Sequence, residues 1–231
     1  MNTLDAGGVR KRYLHTTALA GVDVTAAPGQ VVGVLGPNGS GKTTLLKILA
    51  GLLRPDAGTV TVAGESGYPA LHRNVAFLPD RDFLYGWMTV RGAGGWYARL
   101  YPDFDAEGFG RLTRLMGLDP AARVRALSKG TAEKLGLALT MAREAPLTVL
   151  DEPLSGVDPV ARDEIIRAIV SGIRPDAALV VTSHLVGELE TLLDRVVFLA
   201  DGRVTLSGDA EELRAERGVS LDGLYKEVFA R

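Results

Sequence analysis

The sequence predicts an α/β fold with a mostly parallel sheet, an antiparallel β portion and an inserted helical subdomain. Three observations carry this. Short β-like apolar runs alternate along the chain with segments of helical period. A glycine-rich turn joins one fully apolar run, VVGVL, to a helical pattern. Residues 80–140 hold apolar side chains at helical spacing and no convincing strand.

In chain order, VVGVL (31–35) is continuous and apolar, as expected of a strand covered on both faces. A helix is expected over about 41–53. TVTV (59–62) alternates, which marks an outer, half-exposed strand. VAFL (75–78), LTVL (147–150), ALVVT (178–182) and RVVFLA (195–200) supply further strands. Asp201-Gly202 is a hairpin turn into GRVTLSG (202–208), the antiparallel element. Further helices are expected at 159–172, 185–193 and 209–217. WYARLY, FGRLTRLMGL and KLGLALTMA form the helical subdomain. The domain reading is thus an α/β core over 1–79 and 141–231, interrupted by a helical subdomain over 80–140.

Composition narrows the function. A net charge of −2 gives no basic footprint for nucleic acid. The 231 residues include no cysteine, which excludes disulfides and thiolate metal sites. The first residues, MNTLDAGGVRKRYLHT, lack the apolar stretch of a signal peptide. The longest apolar run, LLKILAGLL, is too short to cross a bilayer. A soluble intracellular chain is the expectation.

GPNGSGKT places Gly36, Gly41, Lys42 and Thr43 in the spacing G-x-x-x-x-G-K-[ST], after a strand and before a helix. The expected core is therefore that of a P-loop NTPase. Its glycines let backbone N–H groups of residues 38–43, those of Asn38, Gly39, Ser40 and Gly41 among them, turn inward as an anion nest. The helix N-terminus adds partial positive charge. Lys42 reaches β/γ-phosphates, the Thr43 hydroxyl ligates Mg²⁺, and Thr44 adds a phosphate contact. In APLTVLDEP a second apolar strand ends in Asp151 and Glu152, at the carboxyl edge where open parallel sheets bind ligands. Asp151 is expected to hold Mg²⁺ and Glu152 to orient or deprotonate a water.

In order, the chain carries GPNGSGKTT, LSKGT, LTVLDEP, SGVD and TSH. Over nearly its whole length it resembles the ATP-binding subunit of an ABC transporter. The resemblance implies that LSKGT (127–131) is the signature that caps the γ-phosphate of an ATP held by a partner subunit, through Ser128 and Gly130. It implies that Tyr13 stacks on adenine, that Asp158 lies in the loop linking two sites, and that His184 is the switch that acts with Glu152 and Lys42 in catalysis. Asp80 stands where the family has a glutamine approaching Mg²⁺. Lys129 and Thr131 also depart from the family signature. Leu84, Tyr85 and Trp87 would lie near the groove for a membrane partner's cytoplasmic helix, and residues 78–105 resemble a bacterial exporter branch with a separate membrane subunit. ATP and Mg²⁺ are then the cofactors. An integral membrane permease and a second ATP-binding subunit are the partners, with no nucleic acid, and the location is the inner face of the cell membrane. Two other readings remain open at this point. One is a soluble ABC-type ATPase acting on nucleic acid or ribosomes; the other is a degenerate partner of a second ATPase.

Overall fold

The computed structural model describes residues 2–81 and 83–229. The chain divides into two compact units. The first takes residues up to Phe77, Pro146–Glu152 and the chain from Arg174 onward, and the second takes Leu78–Ala145 and Pro153–Ile173.

The first unit holds two sheets. Strands β1 (Leu4–Tyr13), β2 (Thr16–Ala26), β4 (Ala57–Val62) and β5 (Glu65–Ser66) form an antiparallel sheet in the order β2-β1-β4-β5. Strands β3 (Val31–Leu35), β6 (Val75–Leu78), β7 (Leu147–Asp151), β8 (Ala178–Ser183), β9 (Arg195–Ala200) and β10 (Arg203–Asp209) form the other, in the order β10-β9-β3-β8-β7-β6. β3 pairs in parallel with β8 and β9, and β7 pairs in parallel with β8. The hairpin from β9 to β10 is antiparallel and turns through Asp201 and Gly202, both at positive φ. Every residue of β3 is buried, as its unbroken apolar run requires.

β1 and β2 fill a stretch in which no strand is expected. Their alternation is real, with Leu4, Ala6, Leu19, Val22 and Val24 buried. It is broken by Gly7, Gly8 and Gly21 and by register shifts after Ala6, Val9 and Lys11, which scramble a period of two. The core between the sheets collects Leu4, Val22, Val32, Val60, Leu147 and Val180. Helix α1 (Lys42–Leu49) contributes Leu45, Leu46, Ile48 and Leu49, none more than 1% exposed. Each such side chain is worth about 1.5–3 kcal/mol of transfer free energy.

The helix expected over 41–53 stops at Leu49. Gly51 takes φ 70° and donates to the Ile48 carbonyl, while Leu52 and Leu53 fold back onto the Lys47 carbonyl. The other helices of this unit are short: α2 (Tyr68–Asn74), α7 (Val186–Leu189), α8 (Ala210–Arg217) and α9 (Leu221–Phe229). Of the helix expected at 185–193, only α7 is α-helical, and Glu190–Leu192 tightens to a 3₁₀ turn. α9 is unanticipated, its pattern diluted by Gly223. It lies with Tyr225 and Phe229 against Phe198 of β9.

The second unit is helical: α3 (Val90–Leu100), α4 (Ala106–Leu115), α5 (Lys129–Met141) and α6 (Pro159–Gly172). Arg143, 6% exposed, donates to both carboxylate oxygens of Asp103 at 3.1 and 2.7 Å and lies over the Tyr101 ring. Lys134 pairs with Glu164, tying α5 to α6. Among the described residues, no helix is long and apolar enough to cross a membrane.

Candidate nucleotide site

Between β3 and α1 the backbone must turn sharply beside other backbone. A Cβ on Gly36 would lie 2.2 Å from the Leu199 carbonyl oxygen, and one on Gly41 would lie 2.4 Å from that of Ala18. Gly41 also takes φ 108°, open only to glycine at acceptable cost. The turn is braced from outside, since the Gly202 N–H donates to the Ser40 carbonyl at 3.0 Å. In this conformation the first N–H groups of α1, those of Lys42, Thr43 and Thr44, have no carbonyl one turn back, and Gly41 offers no side-chain cap. They form a positive pole that fits an anion. Asn38, Gly39 and Thr43 are exposed and Thr44 is half-buried. Ser40 is 3% exposed, and its Oγ has no hydrogen-bond partner among the described residues.

Lys42 is 6% exposed. Its Nζ donates to the carbonyls of Gly36 at 2.7 Å and Pro37 at 3.2 Å, and lies 3.4 Å from Glu152 Oε1. The structure therefore brings the glycine turn and the strand-end carboxylates together. Asp151, at the end of β7, is 1% exposed, and its Oδ1 accepts from the Thr182 hydroxyl at 2.9 Å. The same Thr182 oxygen accepts from the Glu152 N–H at 2.9 Å. Glu152 sits at φ 51°, a left-handed conformation uncommon for a residue with a Cβ and often found at functional sites. Its Oε2 accepts from the His184 N–H at 3.2 Å and meets His184 Nδ1 at 2.8 Å. Thr182 is the residue that sequence reasoning missed. Its position two before His184 was the available signal.

The donors at this edge are all oxygen: the Asp151 carboxylate, the Thr43 hydroxyl and the unpartnered Ser40 Oγ. Such a set fits a hard cation like Mg²⁺, which takes one or two carboxylates and completes its shell with phosphate and water. Among the described residues no group of three or more His, Cys, Asp or Glu is placed to hold a metal. Tyr13 ends β1 with its ring 45% exposed, available for stacking.

The remaining expected residues belong to the helical unit. Ser128 caps α5, its Oγ accepting from the Thr131 N–H at 3.2 Å. Lys129 lies over Gly156, where a Cβ would come within 2.3 Å of its Nζ. Gly130 is half-buried beside Val157 and Asp158. Asp158 caps α6 by accepting from the Ala161 N–H at 3.0 Å, and that bond holds its carboxyl below the usual range. Asp80 is exposed and makes no hydrogen bond or ion pair among the described residues. A cleft of about 390 Å³ in this unit is lined by Leu78, Arg81, Phe83, Leu84, Arg125 and Lys129, among others.

A glycine turn after a central parallel strand, with paired carboxylates at the end of a nearby strand, defines a P-loop nucleotide-binding protein. Comparison with known proteins narrows the class. The ABC transporter family model matches residues 19–155. The uncharacterized ABC transporter ATP-binding protein YxlF of Bacillus subtilis (strain 168) is 32% identical over 216 residues, covering 91% of this chain and 72% of its own. The daunorubicin resistance ATP-binding protein DrrA3 of Streptomyces coeruleorubidus is 35% identical over 230 residues, covering 91% and 69%. A solved ATP-binding subunit of an ABC transporter superposes with a TM-score of 0.88 at 27% identity, covering 97% of this chain and 98% of its own. The chain belongs to the ABC transporter family. It is an ATP-binding subunit of such a transporter and an ATPase.

Proposed function

We propose that two ATP-binding subunits close head to tail over two ATP molecules, each site joining one subunit's phosphate loop to the other's signature. The observation that carries the hydrolytic part of this reading is Glu152 at the end of β7, within reach of both Lys42 and His184, while the pairing of subunits rests on the family resemblance. The nest of residues 38–44 holds the phosphates, with Lys42 against the β/γ-phosphates and Tyr13 against adenine. Asp151 and Thr43 would hold Mg²⁺, which when bound neutralises phosphate charge; Asp80 is counted with them only because it stands at the family's glutamine position. Glu152 positions a water for in-line attack, and His184 and Lys42 stabilise charge on the transferring phosphoryl group. From the second copy, Ser128 and Gly130 cap the γ-phosphate, while Asp158 lies in the loop that links the two sites.

The work is delivered to a separate integral membrane permease at the cytoplasmic face of the cell membrane. The helical-unit cleft mixes apolar Phe83 and Leu84 with Arg81 and Arg125, and with exposed Tyr85 and Trp87 nearby it suits a docking helix of that partner. The direction is outward, in keeping with the likeness of residues 78–105 to exporter subunits and with the resistance role that DrrA3's name gives it. Turnover per chain should rise with protein concentration as half-sites meet. Glu152→Gln should bind ATP yet lose nearly all turnover, and Lys42→Ala should lose most nucleotide affinity by calorimetry. Wild-type rates in Glu152→Gln would refute the assignment.

A further inference from the structure

The carboxylate assigned to water activation is already engaged, and its partners are the residues that must meet phosphate. Glu152 Oε2 is held by the His184 backbone N–H and ring. Glu152 Oε1 is buried without a hydrogen bond among the described residues and faces the Lys42 ammonium at 3.4 Å. That separation exceeds the 2.7–2.9 Å or so of a tight charge-assisted bond. The pair is thus a weak contact between two groups largely removed from water. The ammonium's closer bonds, to the carbonyls of Gly36 and Pro37, keep it folded into the loop.

We propose that Glu152 has a second role, as the resident anion of the phosphate loop. Without nucleotide its carboxylate occupies the charge that Lys42 offers, and an arriving phosphate must displace it. The inference rests on the nucleotide-binding reading above and adds a consequence. Displacement frees Oε1 from Lys42 at the moment a phosphate replaces it, so the carboxylate is released to hold water only in a loaded site. His184 keeps the other oxygen throughout, which limits how far the carboxylate moves.

ADP tests this, because it engages the loop without being hydrolysed. Calorimetry would compare the full-length wild-type chain with Glu152→Asp, which keeps the charge but is one methylene too short to span Lys42 and His184, and with Glu152→Gln, which keeps the length without the charge. Loss of one partly buried pair should tighten ADP binding about fivefold in both variants. Tightening in Glu152→Gln alone would mean general charge repulsion and overturn the proposal, as would unchanged affinity in both. Acylation of Lys42 by an amine reagent, read by peptide mass in nucleotide-free protein, gives a second measure. It should be faster in Glu152→Asp than in wild type, and an equal rate would count against the pairing. If neither the wild type nor the variants bound ADP, the nucleotide reading itself would fail and take the clasp with it. Firm wild-type binding that neither variant changes would remove the clasp alone.

Discussion

At the residue scale, the site is built from positions where only one side chain is tolerable. Gly36 and Gly41 face the backbone carbonyls of Leu199 and Ala18 at distances no Cβ can share. Gly36→Ala should therefore destabilise the chain by about 1–3 kcal/mol, the usual range for overpacking, and weaken nucleotide binding. A urea midpoint equal to wild type would contradict this. These glycines were legible from spacing alone, because the motif encodes the backbone approach that the structure displays. Thr182 was not. Its role comes from lying across the sheet from Asp151 and Glu152 on a strand 31 residues further along the chain, and its place two before His184 is only an indirect sign of that. The strained φ of Glu152 was equally hidden, since Asp-Glu-Pro reads as an ordinary strand end.

At the element scale, strands with unbroken apolar runs were readable and strands with bulges were not. β3, β6 and β9 fall where VVGVL, VAFL and RVVFLA predict. β1 and β2 escaped because glycines and register shifts interrupt their alternation. α9 escaped because its burial depends on Phe198, far away in sequence. That packing has a pH signature. Burial first, and the nearby charge of Glu152 second, raise the Tyr225 phenol above its ordinary value. The folded state thus favours the neutral ring. Its contribution is complete below the unfolded pKa of about 10 and is lost as pH rises through and beyond that value. Between about pH 9 and 11, Tyr225→Phe should lose less of its urea midpoint than wild type does. An equal loss would show that α9 does not depend on that phenol. In the helical unit, Arg143 is the buried cation that Asp103 and Tyr101 share. Arg143→Met leaves Asp103 partly buried and unpaired, and should cost about 3 kcal/mol by denaturant titration. A loss below about 1 kcal/mol would place that pair among ordinary surface bridges.

For the whole molecule, the chain interleaves two units, each with its own packing, and the proposed chemistry draws on both. The phosphate loop, the carboxylates and His184 belong to the α/β unit, while Ser128, Gly130 and Asp158 belong to the helical one. The order of motifs along the sequence was enough to read the family. A single chain, however, displays only what one copy holds, so the pairing of copies must be met in solution. Sedimentation of Glu152→Gln, with ATP and Mg²⁺ against ADP and Mg²⁺, tests that pairing directly. The account predicts a species of twice 24.5 kDa with ATP and single chains with ADP. Single chains under both conditions, at every protein concentration and with ATP demonstrably bound, would contradict it.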